Sequence, residues 1–113
     1  MPNSCWNTIT ITGSKEDIYD FTKSAFKDVP EWALHIHKQC TLGIHFDIWS
    51  RWTVDTEWLE EILKKYPSMW IKDIWKVEDG QAGIWIGSKD EIRTFHWDDL
   101  GIQEWYEFFE KVI

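Results

Sequence analysis

The sequence predicts an α+β fold, an antiparallel sheet carrying helices, from three observations. One segment alternates strictly between β-branched residues, two segments repeat apolar residues at helical spacing, and two stretches read as hairpins turned near a glycine. The alternating segment is Thr8-Ile9-Thr10-Ile11-Thr12, which puts both isoleucines on one face of a strand and the threonines on the other. Gly13 ends it. Ser14, with Asp17 three residues later, starts a helix over Lys15 to Lys27 whose buried stripe is Ile18, Phe21, Ala25 and Phe26. Pro30 sets the far limit, because a proline keeps the residue before it out of helical geometry.

Glu31 to Ser50 reads as a hairpin with Cys40-Thr41-Leu42 as its loop. That register gathers Leu34, Ile36 and Lys38 with Ile44, Phe46 and Ile48 on one face. The other face then sets His35 across from Asp47 and His37 across from His45, with Trp49 near the end. Thr53-Val54-Asp55-Thr56 offers caps to a second helix, in which Trp58, Leu59, Ile62, Leu63 and Tyr66 fall at helical spacing until Pro67. A second hairpin from Met69 to Ile86 turns at Asp79-Gly80, a dipeptide suited to a type I′ turn. Its register groups Ile71, Trp75 and Val77 with Ala82, Ile84 and Ile86, and Trp70 and Ile74 with Trp85. Gly101 to Val112 predicts an amphipathic helix with Ile102, Trp105, Tyr106, Phe109 and Val112 on one stripe. The order β-α-β-β-α-β-β suits a ferredoxin-like plait with helices packed on the sheet and an extra C-terminal helix. The expected organisation is one domain over residues 1–113, with a plait core at 1–88 and an acidic helical extension at 89–113.

A chain of 113 residues allows one domain and hardly two. Its 43% hydrophobic content, with 10 tryptophans, excludes a disordered acidic tail. The net charge of −8 argues against general binding to phosphate backbones. No stretch approaches the roughly 18 apolar residues of a membrane span, and the N-terminus has no signal-peptide pattern, so a cytoplasmic protein is expected. Cys5 and Cys40 show neither CxxC nor zinc-finger spacing, and reduced thiols are the default.

The opening Met1-Pro2-Asn3-Ser4-Cys5-Trp6-Asn7 before the first strand resembles the start of the YubB-type proteins of phages and plasmids. Phe46-Asp47-Ile48-Trp49-Ser50-Arg51-Trp52, then Trp58-Leu59 through Lys64-Lys65-Tyr66-Pro67-Ser68, then Glu78-Asp79-Gly80-Gln81-Ala82-Gly83-Ile84-Trp85 are similar to that family's strand, tryptophan-rich turn, helix and hairpin. The resemblance spans Met1 to Ile86 and implies a ferredoxin-like domain in a mobile-element accessory protein of the host cytoplasm. It supplies no catalytic residue.

The residue types leave few chemical candidates. His35, His37, His45 and Asp47 share the polar hairpin face closely enough to be candidate metal ligands, although histidines are also ordinary residues on a solvated sheet face. Neither cysteine has a base and an orienting group placed beside it, so no catalytic residue is assigned. The glycines around Gly83 and Gly87 are spaced wrongly for a phosphate-binding loop. Outward threonines on the first strand and scattered basic residues weigh against RNA binding. From Asp90 to Ile113, seven acidic residues face only Arg93 and Lys111, leaving a local charge of −5.

These features favour a non-enzymatic phage or mobile-element protein that binds and inhibits a host protein, such as a CRISPR or other nucleic-acid-processing defence effector. The expected partner-binding residues are Trp97, Asp98, Asp99, Glu104, Trp105 and Glu107 of the tail, with Asp47 and Trp49 of the hairpin. The alternative is a small-ligand module taking a nucleotide or metal at the histidine face. A homodimer formed through the tail helix or a sheet edge is a third arrangement. No cofactor, direct nucleic-acid contact or membrane contact is expected.

Overall fold

The computed structural model describes residues 4–78 and 80–96. Within them the elements are β1 (Ser4–Thr12), α1 (Lys15–Ser24), a 3-10 turn (Glu31–Ala33), β2 (Leu34–Cys40), β3 (Gly43–Arg51), α2 (Thr56–Lys65), β4 (Trp70–Val77), β5 (Ala82–Gly87) and β6 (Ile92–His96). The strands form one sheet in the order β2-β3-β1-β4-β5-β6, and every neighbouring pair is antiparallel. Each helix joins strands that are not neighbours. α1 carries the chain from β1 past the position of β3 to β2, and α2 carries it from β3 past β1 to β4.

Local chemistry starts both helices where the sequence predicts. Ser14 accepts from the Asp17 backbone N–H, and Asp55 accepts from that of Trp58, each filling a helix N-terminus that lacks internal partners. α1 is shorter than expected: its helical residues end at Ser24, and 25–28 continue as turns. Its Ile18 and Phe21 join Leu59, Ile62 and Leu63 of α2 over Ile9, Ile11, Ile44, Phe46, Ile48, Ile71 and Trp85 of the sheet. Phe21 is the hub, with ring centroids 5.6 Å from Phe26, 6.2 Å from Tyr66 and 6.4 Å from Phe46. Burying a side chain of this size contributes about 1.5–3 kcal/mol. Tyr66 closes α2 and donates its phenol proton to Asp20 of α1, which ties the two helices together.

Two registers differ from expectation. In the first hairpin Cys40 pairs with Gly43, so Thr41-Leu42 alone make the turn. A bulge between Ile36 and Lys38 then restores the predicted pairs Leu34–Ile48 and His35–Asp47. His37 leaves the ladder and Lys38, not His37, is paired with His45. In the second hairpin Val77 N–H donates to Gln81 O and Gly80 takes φ 99°. Val77, and not Glu78, is therefore opposite Gln81, one residue earlier on β4 than a two-residue turn would give, and a slip of one exchanges the faces. Trp85 consequently pairs with Asp73 on the helix-covered face, while Ile84 pairs with Ile74 on the other.

The sheet also continues beyond the expected core. Ile92–His96 forms β6 on the far side of β5, so this part of the 89–113 segment is strand rather than helix. The predicted helix Gly101–Val112 lies outside the described residues.

Candidate functional site

Both helices pack on one face of the sheet, which leaves the opposite face of β1, β2 and β3 accessible to a ligand or partner. β1 alternates with period two, directing Cys5, Asn7, Ile9 and Ile11 to the helices and Trp6, Thr8 and Thr10 away from them. Cross-strand partners share a face, so Trp6 stands beside Trp49, Thr8 beside Asp47 and Thr10 beside His45. Trp32, from the 3-10 turn, meets Trp49 edge-on with ring centroids 5.2 Å apart. Trp32 is 64% exposed and Trp6 45% exposed. Lys76 of β4 pairs with Trp6 from the other side, and Arg51 ends β3 beside Ser4.

Next to this tryptophan ledge lies a strip of polar side chains. The His37 Nε2 is 2.9 Å from Asp47 Oδ2, and Thr8 donates to Asp47 Oδ1 at 2.9 Å. His45 Nδ1 is 2.9 Å from the Thr10 hydroxyl. His35 and His37 rings stand 4.6 Å apart, and those of His37 and His45 5.1 Å apart. The structure therefore brings together all four candidate metal ligands, but with their atoms turned to one another and to the threonines. Among the described residues, no group of three or more His, Cys, Asp or Glu is arranged to hold a metal ion. Asp47 sits between His37 and Thr8, which puts the hydroxyl on the carboxylate's side of the dyad. A nucleophile would have to lie on the far side of the imidazole.

Of the expected partner-binding residues, Asp47 and Trp49 are on this face. Trp97, Asp98, Asp99, Glu104, Trp105 and Glu107 lie outside the described residues. Cys5 is fully buried in β1, and that burial pushes its thiol up, away from the reactive thiolate. Cys40 ends β2 and is exposed, and both thiols are free.

Two residues give little signal in the sequence. Trp6 precedes the obvious alternation, yet the same period, extended backwards from Thr8, places it on the open face. Asp73 is 1% exposed on the helix-covered side of β4, and burial holds its carboxyl well above the usual carboxylate range. Only its parity with Ile71 and Trp75 hints at that position.

No helix among the described residues is long and apolar enough to cross a membrane. No family model, no curated protein and no solved structure matches the chain.

Proposed function

We propose that this chain is a non-enzymatic binding protein whose working surface is the open face of β1, β2 and β3. The observation that carries the reading is the ledge of Trp6, Trp49 and Trp32, two of whose side chains are exposed. Exposed aromatic groups of this size cost the free protein solubility and supply most of the energy in a protein interface. Asp47, held by His37 and Thr8, gives the ledge a preorganised acceptor at its border.

The first four strands in the order β2-β3-β1-β4, with both connecting helices over one face, support a ferredoxin-like plait extended by β5 and β6. The likeness of the sequence to YubB-type proteins adds the proposal that the partner is a host protein, in the cytoplasm of a phage- or plasmid-bearing cell, and that binding inhibits it. A defence effector that grips nucleic acid through basic residues would suit the −8 charge of the chain. The experiment is capture from bacterial lysate with wild type and a Trp32→Ala/Trp49→Ala variant, followed by identification of the retained protein. The reading requires a nucleic-acid-processing or defence protein retained by wild type and lost by the variant. Equal retention by both removes the ledge from the account.

One observation favours a second reading, a nucleotide on the same face. Lys76 and Arg51 flank the aromatic row, the arrangement that stacks a base and neutralises its phosphate. Quenching of tryptophan emission by a nucleotide panel, lost in the same variant, decides it.

A further inference from the structure

Asp73 is not explained by the fold. It sits in β4 between Ile71 and Trp75, paired with Ile9 of β1 and Trp85 of β5, where an aliphatic residue would complete the core. Its Oδ1 is buried and has no hydrogen-bond partner among the described residues. A buried carboxyl oxygen left in this state is costly and calls for a partner.

A cavity of about 160 Å³ adjoins it, between the sheet and the start of α2, with Asn7, Ser50, Asp55 and Trp58 in its wall. Asp55 is exposed and Trp58 half-buried, so the cavity reaches the surface there. Two side chains of that wall, Asn7 and Ser50, have spent their donors. Asn7 Nδ2 donates to Ile48 O at 3.1 Å and to Ser50 Oγ at 2.9 Å, while Ser50 Oγ donates to Thr53 O at 2.7 Å. Asn7 Oδ1, which already accepts from Cys5 Sγ at 4.0 Å, the remaining lone pair of Ser50 and Asp73 Oδ1 are all acceptors. Asp55 adds a second carboxylate at the mouth, one oxygen of which accepts from the Trp58 backbone. Among the described residues, the wall contains no lysine or arginine. An anion or an acceptor-rich molecule would set oxygen against oxygen, whereas a cationic donor would satisfy these groups.

We propose that this cavity binds a small organic cation, a primary ammonium on a short aliphatic chain, with Asp73 as counter-charge and Trp58 as the apolar wall. The volume is that of about five waters, which limits the ligand to roughly four or five heavy atoms. Among the described residues, the ionisable groups facing Asp73 are Cys5, which is buried on the same face, and Asp55 at the mouth. The ammonium competes with a proton for Asp73, so binding strengthens as pH rises until the amine itself loses its charge.

The test is an NMR titration of the full chain with n-propylammonium chloride at pH 8, with n-propanol and sodium chloride as controls. Saturable shifts are expected at the Asn7 side-chain amide, the Trp58 indole and the Asp73 backbone. Affinity should fall at least tenfold in Asp73→Asn and at pH 5. The wild-type Asp73 carboxyl carbon gives a second readout that needs no variant, because saturating propylammonium should move its titration to lower pH. An equal response to propanol, an equal response in Asp73→Asn, or an Asp73 titration that does not move overturns the proposal. A cavity that holds only water gives that last result.

Discussion

The indole of Trp75 lies directly over the α-carbon of Gly83: a β-carbon at Gly83 would stand 2.5 Å from Trp75 Cζ2 and 2.5 Å from the Phe95 carbonyl oxygen. Gly83 is the cross-strand partner of Trp75, so a bare backbone on β5 is what lets a full indole lie flat in the core. Gly83→Ala is expected to cost about 2–3 kcal/mol, because both neighbours are held in place and neither a strand carbonyl nor a buried indole gives way. Urea unfolding followed by tryptophan emission measures it, and a loss under about 0.5 kcal/mol would show that the indole has room to shift.

Trp52 occupies the left-handed region at φ 70° with 54% of its surface exposed. A bulky residue pays about 1–2 kcal/mol for that geometry, which asparagine tolerates better. Trp52→Asn is therefore expected to raise stability by about 1 kcal/mol, read as a higher melting temperature. A fall of the same size would mean that the indole packs against something that holds the turn.

Asp73 gives the fold a pH dependence of definite sign. Its folded carboxyl is raised by burial, so the folded state holds the proton more tightly than the unfolded state. The stability linked to it is complete below the ordinary carboxylate range and is lost as pH climbs from there through the folded titration point. Asp73→Asn removes that slope. At pH 8 the variant should be more stable than wild type by on the order of 1–3 kcal/mol, because a neutral amide avoids the desolvation penalty of a buried charge, with the difference shrinking at pH 4. Parallel stability profiles for the two proteins would contradict this.

The two cysteines should separate cleanly in a thiol assay. Cys40 is exposed and Cys5 fully buried with its thiol pushed up. Ellman's reagent is expected to label one thiol in the native protein and both in urea. Prompt labelling of two native thiols would mean that β1 opens at its first residues.

What the sequence made legible was what local chemistry decides. The Thr8–Thr12 alternation, the Ser14 and Asp55 caps and the apolar stripe of α2 each need only their own neighbours, and each is present. The histidine and Asp47 cluster was legible too, since His35 and Asp47 keep the expected pairing and the bulge leaves the His37 ring against both Asp47 and His45. The bulge at His37 and the longer turn at Gly80 were not, because tertiary packing selects them: the second places Trp75 and Trp85 over glycines. β6 was missed because five residues of mixed polarity carry little periodic signal. Asp73 was missed because an aspartate between lysine and isoleucine reads as solvated, and only the packing of β4 shows it buried.

The central claim is that the open face binds through its tryptophan ledge. The most direct measurement is the dissociation constant of the purified captured protein for wild type and for Trp6→Ala/Trp32→Ala/Trp49→Ala, with matched circular dichroism showing that both are folded. Removal of central aromatic anchors costs about 2 kcal/mol or more, so at least a thirtyfold weakening is predicted. An affinity within about threefold of wild type would contradict the account and move the interface elsewhere on the chain.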